Sequence, residues 1–303
     1  MLEKAMKRFF AFDADTTEFS WTNAYTCARA AQLAYAEKAA IGRHIEQEWG
    51  EQEQIQHHDW RFIENETTDT QAFVMTTDAM ILVSFRGSAA PTDFMTDAAM
   101  DLIPGPFSGD VHEGFSNALA SVWDSLTAAI ADFRGDKHKS LWFTGHSLGA
   151  GLATVAVARL LDMGHAVGGL YTFGQPRTGN ARFAHDFNRV FKSTAFRFVN
   201  NNDVVTRIPP RVLGYRHTGT LRYFDEDGDF HAEMGYWRRL LDRIHGRLAD
   251  LFHWGTDGIK DHGMEHYVNL VRTHYLLDMK RLHAAREAKR IKIQEELSQI
   301  PGV

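Results

Sequence analysis

Cysteine is nearly absent from this chain of 303 residues, which contains Cys27 alone. A single cysteine excludes an intrachain disulfide framework, and no residues have the spacing of a zinc site. Cys27 lies in an alanine-rich helical pattern and is interpreted as a small packing residue. The acidic run 225–229 has its glycine out of register for an EF-hand loop, so it predicts a hairpin turn. With no phosphate- or dinucleotide-binding loop either, we expect no metal and no cofactor.

The chain also lacks an excess of positive charge and a long apolar run. Its net charge of −6 argues against nucleic acid as the main partner. The longest apolar stretch, from Leu148 to Leu161, is interrupted by Thr154 and Arg159, so no transmembrane segment is expected. The first residues show no apolar core of a signal peptide. These features predict a soluble, cytoplasmic protein, although a secreted chain whose leader has been removed would look the same.

No internal repeat or low-complexity linker divides the chain, so we predict one domain over residues 1–303. Strand and helix patterns alternate from about residue 140 to residue 200, which indicates a largely parallel sheet with helices on both faces. Four segments stand out from this pattern. They are a polar and aromatic arm at 1–18, a long amphipathic stretch at 91–108, an amphipathic helix at 236–254 and a charged C-terminal helix at 278–303.

A glycine-flanked serine marks the centre of the pattern. The β-type run 141–144 leads into Gly145-His146-Ser147-Leu148-Gly149, and a helical run of small residues follows at once. The order of strand, sharp turn and helix is the context in which G-x-S-x-G predicts a nucleophile elbow. In that position the Ser147 hydroxyl would project toward substrate, and the backbone N–H of Leu148 would face a developing oxyanion. The alternative is a glycine-rich turn with an idle serine.

An activated serine needs a histidine as base and a carboxylate that orients it, and at an elbow of this kind the acid comes before the histidine in the chain. Asp203 lies just after the β-type run 196–200, where such an acid is expected, although it could also only cap a turn. Eight histidines follow it: His217, His231, His245, His253, His262, His266, His274 and His283. His262 precedes a predicted helix and is the favoured base, with His266 as the alternative.

Several separated motifs between Trp21 and Val271 occur together in one known family. They are Ala24–Tyr35, Phe85–Ser88, Val111–Phe115, Gly145–Gly149, Tyr171–Arg177, Asn202–Val205 and Asp261–Tyr267. In these motifs the chain resembles the class 3 lipases, the fungal-lipase-like branch of the α/β-hydrolases. The resemblance implies an α/β-hydrolase fold with an amphipathic lid, and Ser147, Asp203 and His262 as the catalytic triad. It also implies Ser88 as an oxyanion-hole residue beside Leu148. The family usually has a tyrosine several residues after the base histidine, which favours His262.

The same resemblance assigns the lid to residues 91–108, with an apolar inner face made by Phe94, Met95, Met100, Leu102 and Ile103. A loop packed permanently on the core is the alternative. The helix at 236–254 departs from the family pattern, because its apolar stripe is accompanied by four arginines. It could lie in a lipid interface, act as a second flap or pack on the core. We expect transient contact with a lipid interface through 91–108 and 236–254.

The expected activity is that of a serine hydrolase that cleaves carboxylic esters of lipids, a triacylglycerol lipase or esterase, through an acyl-enzyme. A phospholipase or a feruloyl-type esterase would use the same residues. Acyl transfer in lipid metabolism is a further alternative. A non-catalytic lipid-binding or scaffold protein on a hydrolase fold would be expected to lack a member of the triad.

Overall fold

The computed structural model describes residues 12–50, 58–88, 101–135, 137–232, 258 and 260–298. The strands are β1 (Asp59–Asn65), β2 (Thr70–Thr76), β3 (Met80–Phe85), β4 (Leu102–Pro104), β5 (Asp110–His112), β6 (Ser140–His146), β7 (Gly169–Phe173), β8 (Gly179–Asn180), β9 (Ala195–Asn200), β10 (Tyr215–Arg216), β11 (Thr220–Phe224) and β12 (Phe230–His231). The α-helices are α1 (Trp21–Leu33), α2 (Lys38–Gly50), α3 (Glu113–Ala120), α4 (Trp123–Arg134), α5 (Leu148–Asp162), α6 (Ala181–Phe191) and α7 (Met264–Ser298).

The larger sheet has eight strands in the order β1-β2-β3-β6-β7-β9-β11-β12. The five central strands from β3 to β11 run parallel to one another, and β1, β2 and β12 pair antiparallel at the two ends. All six residues of β3 and all five of β7 are buried, as expected for parallel strands covered on both faces. The carboxyl ends of the parallel strands meet at one edge, where Ser88, Ser147 and Asp203 follow β3, β6 and β9.

Helices cover both faces of this sheet and bury two apolar clusters. One cluster lies between the sheet and α3, α4, α5 and α6, and includes Phe115, Leu126 and Phe143. The other lies on the opposite face under α1, α2 and the first part of α7, and includes Trp142 and Tyr267. This arrangement confirms the predicted α/β fold with a largely parallel central sheet.

A second, four-stranded sheet, in the order β10-β8-β5-β4, was not predicted. Two of its strands come from segments for which the sequence pattern predicts a different structure. Leu102–Pro104, at the end of the predicted lid, pairs antiparallel with β5. The β-type composition of 215–223 predicts one late strand, but these residues contribute to two strands in different sheets, because Gly219 turns the chain with φ of +74° between β10 and β11.

The four segments of unusual composition have different outcomes. Residues 12–18 of the arm form no helix or strand, and Phe12 packs edge-on against Trp142 with ring centroids 5.0 Å apart. Residues 91–100 of the predicted lid and the whole of 236–254 lie outside the described residues. The charged helix expected at 278–303 is the continuation of α7, which begins at Met264. No helix in the described ranges combines the length and apolarity that crossing a membrane requires.

Candidate active site

Ser147 occupies a strained turn between β6 and α5. Its φ of +58° and ψ of −129° are rare for a residue with a Cβ, and its N–H donates to the carbonyl of Phe173 at 3.0 Å. The flanking glycines make the turn possible. A Cβ on Gly145 would lie 2.4 Å from the carbonyl oxygen of Gly149, and a Cβ on Gly149 would lie 2.3 Å from that of Phe85. The backbone therefore has the geometry of a nucleophile elbow.

Asp203 and His262 form a buried hydrogen-bonded pair. The Nδ1 atom of His262 lies 2.9 Å from Oδ2 and 3.0 Å from Oδ1 of Asp203, and the two residues are 3% and 1% exposed. The N–H of Val205 donates to Oδ1 at 2.9 Å, and the hydroxyl of Tyr267 donates to Oδ2. Burial and the negative charge of Asp203 raise the pKa of Tyr267 well above its usual value, so its hydroxyl remains a donor. Three donors thus fix the carboxylate.

This pairing determines which nitrogen of His262 is available for chemistry. A carboxylate only accepts, so Nδ1 carries the proton and Nε2 presents a lone pair. Nε2 is buried and forms no hydrogen bond to any described residue. A buried acceptor without a partner is unusual in a folded protein, and active sites are one of the places where it occurs. The arrangement can therefore accept a proton from a hydroxyl that reaches Nε2.

The three predicted triad residues meet around the end of β7. Phe173, the last residue of β7, accepts the hydrogen bond from the N–H of Ser147. Its neighbour Gly174 lies against the other two residues, because a Cβ there would be 2.8 Å from the His262 ring and 2.9 Å from Oδ2 of Asp203. The structure thus brings Ser147, Asp203 and His262 to the same sheet edge.

The rival base His266 lies elsewhere. Its side chain is 53% exposed, and its Nε2 is 3.9 Å from Oε1 of Glu265 on the same helix. His262, not His266, is therefore the histidine that contacts Asp203.

The two predicted oxyanion residues lie on adjacent loops at this edge. Ser88 is half-buried and follows β3, whereas Leu148 begins α5. The loops are in close contact, because a Cβ on Gly149 would meet the backbone of Arg86 at 2.8 Å and a Cβ on Gly87 would meet the carbonyl of His146 at 2.6 Å. The backbone N–H groups of Ser88 and Leu148 therefore belong to chain segments in direct contact.

Hydrogen bonds connect Tyr35 and His146 to His262, and Tyr35 contacts the Ser88 loop. Nε2 of His146 is 2.7 Å from the carbonyl oxygen of His262, and Nδ1 is 2.8 Å from the hydroxyl of Tyr35. Because the carbonyl only accepts, Nε2 carries the proton of His146 and Nδ1 accepts from Tyr35. The Tyr35 oxygen in turn lies against Gly87, because a Cβ on Gly87 would be 2.1 Å from it. The His146 ring also packs on the His262 ring, with centroids 4.5 Å apart.

The sequence pattern did not identify Tyr35 and His146 as site residues. Both lie inside motifs on which the family resemblance depends. They are 111 positions apart in the chain, and neither motif indicates that the two side chains form a hydrogen bond. A signal was present in the elbow itself, where the variable position between Gly145 and Ser147 holds a titratable ring.

Removing the Tyr35 hydroxyl is expected to lower turnover. In the Tyr35→Phe variant, Nδ1 of His146 loses its donor and the backbone of His262 is held less firmly. We expect kcat to fall about tenfold with little change in KM, because misplacement of a catalytic group affects the chemical step. The matched control is Tyr25→Phe, which removes the hydroxyl of a buried tyrosine of α1 whose ring stacks on Tyr275. Equal kinetic effects of the two substitutions would contradict the role of Tyr35.

Buried histidines are expected to make the fold sensitive to acid. Burial, together with the nearby His262, lowers the pKa of His146 well below its usual value, and burial with nearby arginines does the same for His217. Below about pH 6.5 the unfolded chain binds protons that the folded chain does not. The unfolding free energy should then fall by up to about 1.4 kcal/mol per pH unit for each histidine. Denaturant unfolding at a series of pH values measures this slope. His217→Gln should reduce it, whereas substitution of the exposed His266 should not.

Comparison with known proteins finds sequence similarity to lipases over part of the chain. Residues 82–213 match the sequence model of the family described as lipase (class 3). A secreted mono- and diacylglycerol lipase of Fusarium solani is 37% identical over 168 residues, which are 52% of this chain and 48% of the relative. Another, secreted mono- and diacylglycerol lipase A of Penicillium cyclopium, is 30% identical over 201 residues, 59% of this chain and 65% of that one. The chain thus spans less than two thirds of the length of these relatives.

Solved structures share the fold. The triacylglyceride lipase of Rhizomucor miehei superposes with a TM-score of 0.56 and 25% identity, covering 68% of this chain and 80% of that one. A mono- and diacylglycerol lipase from Penicillium cyclopium has a TM-score of 0.56 at 21% identity, covering 77% and 86% of the two chains. The relatives matched by sequence are described as secreted, which does not support the predicted cytoplasmic location. Residues 82–213 thus resemble the class 3 lipases, and the fold is that of the α/β-hydrolases.

Proposed function

We propose that this protein hydrolyses carboxylic esters of acylglycerols through a Ser-His-Asp triad. The observation that carries the proposal is the buried Nε2 of His262, which has no partner among the described residues while Nδ1 is bound to Asp203. This atom lies at the sheet edge that also carries the strained Ser147. A histidine held in this tautomer by a carboxylate is the base that a serine nucleophile needs.

The residues support a two-stage reaction. Nε2 of His262 removes the proton of the Ser147 hydroxyl as Oγ attacks the ester carbonyl, and the N–H groups of Ser88 and Leu148 stabilise the oxyanion. His262 then gives that proton to the departing alcohol, which leaves an acyl group on Ser147. Water, deprotonated by the same nitrogen, adds to the acyl carbonyl; the bond to Oγ then breaks, His262 returns the proton to Ser147, and the carboxylic acid is released. Asp203 stabilises the imidazolium in both stages.

The substrate class is proposed from the relatives and from the site. The two sequence relatives are named for mono- and diacylglycerols and the Rhizomucor structure for a triacylglyceride. Because the two sequence relatives are named as secreted, we also propose that the chain acts outside the cell. Lipid-interface contact through 91–108 and 236–254, and the single domain over 1–303, stay predictions because much of these segments lies outside the described residues.

Covalent labelling tests the nucleophile and separates catalysis from a scaffold role. A fluorophosphonate probe should modify the chain once, on the peptide that contains Ser147, because the probe reacts with a serine only when a base activates it. The Ser147→Ala variant is the control and should stay unlabelled. Labelling of another serine, or none at all in the folded chain, would overturn the proposal.

A substrate panel then resolves the ester class. Mono-, di- and triacylglycerols, a phospholipid and a feruloyl ester should be assayed side by side, with and without an added alcohol acceptor. We expect kcat/KM to be highest on the acylglycerols and free fatty acid to be the main product. Preference for phospholipid or feruloyl ester would assign the alternative hydrolase activities, and acylated acceptor as the main product would assign acyl transfer.

A further inference from the structure

The segment from Arg207 to Arg216, here called the arginine loop, exposes apolar side chains among cations. Val212 is 73% exposed and Leu213 is 48% exposed, although both are aliphatic. Three arginines, Arg207, Arg211 and Arg216, lie within six positions of them in the chain. Exposed apolar residues beside arginines are the composition of protein surfaces that enter a lipid interface.

The positive charge of this loop is not neutralised by the rest of the described chain. None of its three arginines forms an ion pair with a carboxylate in the described ranges. Arg207 donates to the amide oxygen of Asn202, and Arg216 donates to backbone carbonyls. The charge also affects the buried Arg177, whose pKa is lowered to about 9 by burial and by the neighbouring arginines. The loop is therefore locally cationic, although the whole chain carries a net charge of −6.

Hydrogen bonds fix the shape of the arginine loop. A single 3₁₀ turn spans Arg211–Leu213 and is closed by Gly214, whose φ is +91°. Nη1 of Arg216 donates to the carbonyls of Arg211 and Tyr215 at 3.0 and 2.7 Å, and Nη1 of Arg177 donates to that of Pro209 at 2.9 Å. A surface held in this way binds without a large ordering cost.

The loop lies beside the candidate active site. It begins four residues after Asp203, and the hydroxyl of Thr206 donates to the Asp203 carbonyl at 2.8 Å. Its other end contacts Leu102, in the strand near the end of the predicted lid, and the neighbouring Asp101. A Cβ on Gly214 would lie 3.9 Å from Leu102, and the Tyr215 hydroxyl donates to the carbonyl of Asp101 at 3.3 Å. A surface bound to this loop would therefore be close to the site.

We propose that the arginine loop docks the protein on an anionic phospholipid surface. Val212 and Leu213 enter the headgroup region, and the guanidinium groups of Arg207, Arg211 and Arg216 bind lipid phosphates, which match their paired donors. The positive charge of these groups complements the negative charge of such a surface. The proposal goes beyond ester hydrolysis, because it concerns recognition of the membrane and not of the scissile bond.

Vesicle binding by a chain without a nucleophile tests the docking separately from catalysis. The Ser147→Ala chain is mixed with vesicles of phosphatidylcholine alone or with about 30% phosphatidylglycerol, and the bound fraction is measured by co-sedimentation. We expect binding to rise at least about tenfold with phosphatidylglycerol and to be lost in about 0.5 M NaCl. Adding Arg211→Gln and Val212→Ser should remove most of the anionic preference. The matched control, Val190→Ser with Lys192→Gln, replaces an exposed valine and a nearby exposed cation on another surface.

The outcomes separate the possible occupants of the loop. Equal binding to both vesicle types, or equal losses in the loop and control variants, would overturn the proposal. A concentration-dependent dimer that the loop variant abolishes would assign the loop to a second copy and would also overturn it. In the chain with Ser147 intact, the loop variant should hydrolyse a water-soluble short-chain ester normally. A failure of ester hydrolysis in the unmodified chain would reject the proposed function without changing the vesicle result.

Discussion

Replacing Ser147 with alanine is expected to abolish ester turnover and leave the chain folded. The variant has no nucleophile, while the His262–Asp203 pair is unchanged, so kcat should fall by about 10⁵- to 10⁶-fold. Alanine keeps the Cβ at the strained backbone position, so the melting temperature should stay the same. The measurement is the initial rate on a soluble p-nitrophenyl ester together with a thermal unfolding curve. Substantial residual turnover by the folded variant would show that another residue is the nucleophile.

The companion variant Ser147→Gly separates strain from chemistry. It should be as inactive as the alanine variant, but it removes the Cβ from a backbone with φ of +58°. Relief of a strained position is worth about 1–3 kcal/mol, and the added flexibility of glycine costs up to about 1 kcal/mol. We therefore expect a gain of about 1 kcal/mol, which corresponds to a rise of about 2 °C in Tm. A glycine variant less stable than the alanine variant would mean that the elbow stores no strain.

Local patterns in the sequence predicted the framework of the fold. The elbow could be identified because a strand, two glycines around the serine and a helix occur in one continuous segment. The central sheet could be predicted as largely parallel because strands and helices alternate, and connections of that kind join parallel strands. The pairing of Asp203 with His262 followed from chain order and from the position of each residue at the end of an element, so it needed no knowledge of distances.

Other features depend on contacts that no local pattern contains. The bond from Tyr267 to Asp203 joins residues 64 positions apart, and both site residues that were overlooked, Tyr35 and His146, meet only in the folded chain. The four-stranded sheet is built from strands of two or three residues, which are too short to show alternation. A separate charged helix was expected at 278–303, but α7 is continuous from Met264 to Ser298, where no glycine or proline ends it.

The second large effect is expected at Gly174, a residue that takes no part in the chemistry. Its φ is +58°, and a Cβ there would lie 2.8 Å from two atoms of the His262 ring and 2.9 Å from Oδ2 of Asp203. In the Gly174→Ala variant the ring or the carboxylate must therefore move by several tenths of an ångström or more. Displacing a catalytic group by about 1 Å costs on the order of 10²-fold, so kcat should fall by about that factor. The measurement is kcat on the soluble ester, with Tm recorded in parallel.

The strain of alanine at positive φ would by itself lower stability, so the control must reproduce that strain without the contact. Gly135 has φ of +50°, and a Cβ on it would have no atom within 4 Å. Gly135→Ala should therefore lose about 1 kcal/mol or more of stability and keep its activity. If Gly174→Ala loses stability to a similar extent but also loses turnover, the additional effect is due to the displaced histidine–carboxylate pair. If both variants keep full turnover, the base does not depend on the space that Gly174 leaves, and the geometry assigned to His262 is wrong.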